Sequence, residues 1–209
     1  MICFIGYGVL GKQIAKLAGI DNGSRSIIAF DDFATPRQTV TVKPFDNYKD
    51  TLHEMESVYI GVGYKHLSLR HSILTSILKL RVNAPPVVHA SCSVADTTIL
   101  GAAAYIYAGS IIDEDVVIQN GAILNNGVTV SHDSIVGECS FLAPGVIVCG
   151  NVKIGHRTFV GAGSIISNGV VIGDDVIIGA GTLVSKDVPS NGTVVGNPMR
   201  FISSSLLIR

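Results

Sequence analysis

A chain of 209 residues, 47% of them hydrophobic, can hold one large domain or two small ones around a packed core. Its formal net charge of -1, with no basic block and no Lys/Arg stripe interleaved with aromatics, excludes a nucleic-acid surface. No apolar run approaches the roughly 18 residues of a membrane span, because glycine, asparagine or charge interrupts every few positions, so no membrane partner is expected.

The opening "MICFIGYGVL" lacks a basic leader and a small-residue cleavage pattern, and it reads as a buried first strand running into a glycine loop. That strand, "ICFIG", precedes "GYGVLG", a helix through Lys12 to Leu17, a second strand "SIIAF" and then "DDF". Gly6, Gly8 and Gly11 give G-x-G-x-x-G after a strand, and Asp31 and Asp32 lie 20 and 21 residues beyond Gly11, which is the spacing of a dinucleotide fingerprint. Glycines let the backbone approach a phosphate at a helix N-terminus, and an aspartate at the tip of the second strand can accept from a ribose or a base. A tight turn without a ligand is the alternative.

A third strand, "VYIGVG", leads into "HLSLRHSILTSILKL", where Leu69, Ile73, Leu74, Ile77 and Leu78 fall on one helical face. A complete NAD domain needs more strands than this segment supplies. Half a Rossmann fold, α/β, holding a nucleotide-bearing substrate fits better. Pro85-Pro86 punctuates the chain, so residues 1–84 read as one domain and 85–209 as another.

From Val94 an aliphatic residue recurs every six positions without an insertion: Val94, Leu100, Ile106, Ile112, Ile118, Leu124, Val130, Val136, Leu142, Val148, Ile154, Val160, Ile166, Ile172, Ile178 and Val184. Neither a 3.6-residue helix nor an alternating strand gives that period. The following position is glycine at Gly101, Gly137, Gly155, Gly161, Gly173 and Gly179, and the position three after the aliphatic is often Gly, Asn or Asp. Such residues tolerate tight corners and positive φ. The pattern resembles the hexapeptide repeat of left-handed parallel β-helices, in which three hexads make a triangular coil of about 18 residues. Sixteen hexads give a little over five coils, and a C-terminal tail leaves the repeat after Pro189.

Within the repeat, "VSHDSIVGE" places His132 beside Asp133, with Glu114 one coil earlier on the same face, so carboxylates can orient the imidazole and favour its protonated form. The bland reading of His132 is a polar corner residue. His132 and His156 are 24 apart, one coil plus one face, and the repeat holds no H-x4-H pair, so no metal is expected. Cys3, Cys92, Cys139 and Cys149 show no CxxC spacing, which fits free thiols and a cytoplasmic location, and none has a histidine placed for an acyl-enzyme.

A half-Rossmann domain followed by hexads resembles the sialic acid O-acetyltransferase-like family, especially its N-acetyltransferases acting on nucleotide-linked 4-amino-4,6-dideoxy sugars in the bacillosamine, perosamine and viosamine pathways. The likeness rests on "GYGVLG", "AFDDF", "YIGVG", "VVHASCSV", "LNNGVTVSHDSIVGE", "CGNVKIG" and "GNPMR", and it covers nearly the whole chain. It implies a cytoplasmic homotrimer with active sites at subunit interfaces, using acetyl-CoA without a metal in lipopolysaccharide, capsule or glycan synthesis. It implies His132 as general base with Asp133 raising its basicity, and Asn125 as a nearby polar contact. Gly8, Leu10, Asp31, Asp32 and Gly61 would line the site of a dTDP- or UDP-linked amino sugar, and Gly150, Ala162 and Ala180 the acetyl-CoA groove. The Gly150 amide is a candidate donor to the thioester oxygen.

Two positions depart from the family pattern. Leu10 stands where relatives carry a glycine-loop histidine, and Phe141 where they carry a histidine nine residues after the base. The alternatives to an N-acetyltransferase are a sugar O-acetyltransferase of the sialic acid type and a non-catalytic trimeric scaffold that binds nucleotide sugars.

Overall fold

The computed structural model describes residues 1–20, 25–36 and 39–202. The chain divides into two compact units, Met1–Val87 and Val88–Arg209. Among the described residues, no helix is long and apolar enough to cross a membrane.

The first unit is a parallel sheet with helices. Strands β1 (Ile2–Ile5), β2 (Ile27–Phe30), β3 (Val40–Lys43) and β4 (Ser57–Ile60) lie in the order β3-β2-β1-β4. Every residue of β1 and β2 is buried, as expected for a parallel sheet covered on both faces. Helix α1 (Val9–Leu17) starts three residues before the Lys12 expected from sequence, because Gly8 already takes the N-cap position. The short α2 (Tyr48–Thr51) precedes β4, and α3 (Leu67–Lys79) follows it.

Two expectations for this unit need correction. The sheet has a fourth strand, β3, whose "VTVK" is only four residues long with two apolar side chains. The buried face of α3 is Arg70, Ile73, Leu74 and Ile77, while Leu69 and Leu78 are 41% and 40% exposed. A charged residue therefore sits where the sequence suggested leucine.

The second unit is a parallel β-solenoid. Each aliphatic of the hexad series is the second residue of a two-residue strand, and these sixteen strands divide five, five and six among three sheets, one of which is extended to eight by strands outside the series. Partners pair in parallel at a spacing of one coil, as in Val117 with Ile99 and Ile135, or Leu124 with Ile106 and Leu142. The aliphatics meet in one core running through Ile106, Leu124, Leu142 and Val160, all 0% exposed. Between them, Ser134, Ser140, Thr158 and Ser164 are also 0% exposed. The Ser140 hydroxyl donates to the Gly155 carbonyl at 2.7 Å and accepts from the Thr158 N–H at 2.9 Å, so a buried hydroxyl stitches one coil to the next. Parallel pairing continues past Pro189, where the sequence placed the end of the repeat, but out of the 18-residue register: Thr193–Val195 pairs with Ile177–Ile178, Val194 lying opposite Ile178.

The two glycine positions of the hexad do different jobs. Three residues after the aliphatic the backbone is left-handed, at Gly127, Asp133, Gly145 and Asn151 with φ of 66°, 57°, 69° and 58°. Directly after the aliphatic, positive φ is not the reason for glycine. A β-carbon on Gly137 or Gly155 would run into the backbone of the next coil.

Candidate active site

The candidate site residues fall in two places, one in each unit. In the first unit, a cleft of about 390 Å³ opens at the carboxyl ends of β1, β2 and β4 and is lined by Gly6, Gly8, Asp31, Asp32, Gly61 and Gly63. Beyond these, Phe33, Phe45, Val62, His66 and Leu69 also line it. The strand order reverses between β1 and β4, and such a switch point is where open parallel sheets bind ligands.

Three glycines close its floor. A β-carbon on Gly61 or on Gly11 would strike the Gly6 carbonyl oxygen, so strand end, loop and helix touch through backbone alone. Helices α1 and α3 begin at Gly8 and His66 with no acidic residue in their first turns, leaving the positive ends of both dipoles uncompensated by side chains. Leu10 packs against this wall, with its Cδ2 3.4 Å from where a Gly63 β-carbon would be.

Asp31 and Asp32 share the cleft but not a role. The Tyr7 N–H donates to Asp31 Oδ2 at 2.6 Å, and the Phe33 and Ala34 N–H groups donate to its Oδ1 at 2.8 and 2.9 Å. Asp31 thus ties the glycine loop to the turn after β2. Asp32 Oδ1 accepts from the Phe45 N–H at 2.9 Å. Arg70, 0% exposed, donates through Nη1 to the Ile60 and Val62 carbonyls at 2.7 and 3.0 Å and so fixes the Gly61 to Gly63 wall. Its position in the middle of the apolar face of α3 was the available signal. Phe33, 98% exposed at the edge of the cleft, left no periodic signature.

In the second unit, His132 Nδ1 lies 2.8 Å from Asp133 Oδ2. An ionised carboxylate only accepts, so Nδ1 carries the hydrogen and Nε2 presents the lone pair. That hydrogen bond raises the His132 pKa above its ordinary value; slight burial works against it, and the charges of Asp133 and then Asp113 add to it. The second carboxylate acting on the imidazole is therefore Asp113 rather than Glu114, whose backbone carbonyl instead accepts from the Asp133 N–H at 3.1 Å. The left-handed backbone at Asp133 turns the corner there, and both side chains are about half exposed.

Gly150 lies one coil beyond His132. A β-carbon there would stand 2.6 Å from His132 Nε2, so the imidazole rests against the glycine. His132, Asp133 and Gly150 are thus one cluster. Ala162 and Ala180 are exposed at a different corner, and Ala162 O accepts from the Gly181 N–H at 2.8 Å. Asn125 Oδ1 accepts from the Asn126 N–H at 2.8 Å.

Phe141 is 6% exposed and stacks on Phe159, with ring centroids 5.8 Å apart, so this departure fills an apolar ladder. His156 Nδ1 accepts from the Glu138 N–H at 3.0 Å, and its own N–H donates to Asp174 Oδ1 at 2.8 Å, which makes it a corner cap between coils. Among the described residues, no group of three or more His, Cys, Asp or Glu is arranged to hold a metal ion.

The family described as bacterial transferase hexapeptide (six repeats) matches residues 133–168 and 151–186. Both matched segments lie within the solenoid. No curated protein matches the chain by sequence. Among solved structures, PerB from Caulobacter crescentus, in complex with CoA and GDP-perosamine, is 26% identical with a TM-score of 0.86 over 97% of each chain. The acetyltransferase domain of PglB from Neisseria gonorrhoeae FA1090, in complex with acetyl coenzyme A, is 26% identical with a TM-score of 0.86, covering 96% of this chain and 98% of that one. WeeI from Acinetobacter baumannii AYE shares the fold at 22% identity and a TM-score of 0.68, over 97% and 99% of the two chains. The likeness to PerB and PglB spans both units, the glycine-loop sheet as well as the hexapeptide repeat.

Proposed function

We propose that this protein transfers an acetyl group from acetyl-CoA to the 4-amino group of a nucleotide-linked 4-amino-4,6-dideoxy sugar. The observation that carries the reading is His132, held at Nδ1 by Asp133 with Nε2 against a glycine, in a chain similar along its length to a protein solved with CoA and GDP-perosamine.

The chemistry follows from the cluster. An amine attacking a thioester forms an N–C bond, the carbonyl pair moves onto oxygen, and the nitrogen must lose a proton. His132 Nε2 takes that proton, and the Asp133 carboxylate stabilises the imidazolium that results. Collapse of the tetrahedral adduct re-forms the carbonyl and expels the CoA thiolate, which recovers the proton from His132. The Gly150 N–H is the donor to the oxygen while it is negative. Without a β-carbon, Gly150 fits a thioester lying against its backbone.

The cleft of the first unit takes the nucleotide. Its two helix N-termini suit a pyrophosphate, and Asp32 with the exposed Phe33 suits a base or ribose. Domain roles follow as nucleotide-sugar binding for residues 1–84 and acyl transfer for 85–209. The working form is a homotrimer. Ile111, Ile147 and Ile165, 51%, 41% and 40% exposed, form an outward stripe on one face of the solenoid that self-association would cover. The protein acts in the cytoplasm, where acetyl-CoA and nucleotide sugars are made.

Thiol release from acetyl-CoA with dTDP-, UDP- and GDP-linked 4-amino-4,6-dideoxy sugars tests the reading. Release with one of them supports it. Release only with free sialic acid favours O-acetylation, and nucleotide-sugar binding without any release favours the scaffold.

A further inference from the structure

At one corner of the solenoid, backbone N–H groups are capped by the side chain one coil on. Asn120 Oδ1 accepts from Ala102 at 2.9 Å, His156 Nδ1 from Glu138 at 3.0 Å and Asp174 Oδ1 from His156 at 2.8 Å. Gly150 lies at a different corner, after the strand Ile147–Val148, and there the side chain one coil on, Asn168, does not make such a cap. Gly150 is buried, its neighbours Cys149 and Asn151 donate to Ile166 O and His132 O at 3.0 and 2.9 Å, and the Gly150 N–H itself has no acceptor among the described residues.

Asn168 leans instead over the α-carbon. Its Oδ1 lies 3.1 Å from the point a Gly150 β-carbon would fill, and His132 Nε2 lies 2.6 Å from the same point. The glycine is thus flanked by the base from the coil before and by a neutral amide from the coil after. Among the described residues, that amide makes no hydrogen bond. A rotation of the amide plane exchanges its oxygen and NH₂, so it can offer a donor at this place.

We propose that Asn168 is a catalytic residue, whose side-chain amide donates a second hydrogen bond, beside the Gly150 N–H, to the thioester oxygen as it becomes negative. The inference rests on the acetyl-transfer reading above. Nε2 must face the attacking amine, and the carbonyl carbon being attacked lies next to that amine. The groups flanking Nε2 therefore border the oxygen. An oriented neutral donor there stabilises charge that develops only in the transition state and adds no charge beside the base.

The test uses Asn168→Ala and Asn168→Asp in the full chain, with thermal unfolding to verify the fold. Asn168→Ala lowers kcat roughly 100-fold with KM for acetyl-CoA unchanged. Asn168→Asp lowers it further, because a carboxylate cannot donate and repels the oxyanion. A second readout needs no acceptor sugar: isotope-edited infrared spectra of carbonyl-labelled acetyl-CoA bound to each protein. The wild type shifts the thioester stretch below its value in water, and Asn168→Ala moves it back. That result supports the assignment even if no sugar accepts the acetyl group, in which case it is the acceptor reading that fails. An unchanged kcat, a rise in KM alone, or identical carbonyl spectra would overturn it, and failure to bind acetyl-CoA would overturn both readings.

Discussion

His132 and Gly150 occupy successive coils, and a β-carbon at Gly150 would lie 2.6 Å from Nε2 and 2.7 Å from Cε1 of the imidazole. Replacing the glycine by alanine must therefore move the ring or the backbone beneath it. Gly150→Ala is expected to lower kcat roughly 100-fold, the scale of a 1 Å misplacement, with little change in KM for the nucleotide sugar. Steady-state kinetics check this, and an unchanged kcat would show that the ring position does not matter.

The His132–Asp133 pair sets the pH profile. Its hydrogen bond raises the histidine pKa, so the imidazole stays protonated to higher pH than an ordinary histidine and cannot accept a proton there. The acid limb of kcat/KM should have its midpoint above about 6.5, the unperturbed histidine value. Asp133→Asn, which keeps the shape at a left-handed position, should move that midpoint down and lower the plateau. The linked stability is present below the unfolded pKa and is lost as pH rises through the raised one. Because the pair is about half exposed, melting temperature should change little across that range, by calorimetry.

Asp31 holds the glycine loop rather than standing as a free ligand group. Asp31→Ala leaves the N–H groups of Tyr7, Phe33 and Ala34 without their acceptor. A loss on the order of 2 kcal/mol in chemical denaturation is expected, together with a raised KM for the nucleotide sugar. Asp32→Ala should raise KM with a smaller loss of stability, since its carboxylate accepts from the Phe45 N–H alone among the described residues.

The solenoid core should be sensitive to truncation anywhere along its length. Leu142 is 0% exposed and faces Leu124 and Val160 in the coils on either side. Leu142→Ala should cost about 2–5 kcal/mol, read from denaturant midpoints, because stacked coils have little freedom to close the cavity.

The solenoid was legible in the sequence because its period is strict: each aliphatic from Val94 to Val184 is the inward residue of its strand. The separate jobs of Gly137 and Gly127 were not, since composition shows a glycine but not whether it avoids a clash or adopts positive φ. In the first unit the glycine loop and "DDF" were readable from spacing, whereas β3 carries too short an apolar pattern to stand out, and Arg70 hides in the face of α3. The His132–Asp133 contact was expected from adjacency. The influence of Asp113 over Glu114 was not, because coil spacing predicts which residues stack but not which way their side chains turn.

In the proposed mechanism His132 takes the proton from an amino-sugar nucleotide. The most direct test of that step is CoA thiol release with acetyl-CoA and dTDP-, UDP- and GDP-linked 4-amino-4,6-dideoxy sugars, wild type beside His132→Ala. The account predicts release with one nucleotide sugar in the wild type and a loss of roughly 100-fold to 10,000-fold in the variant. A His132→Ala protein that turns over as fast as the wild type would contradict it.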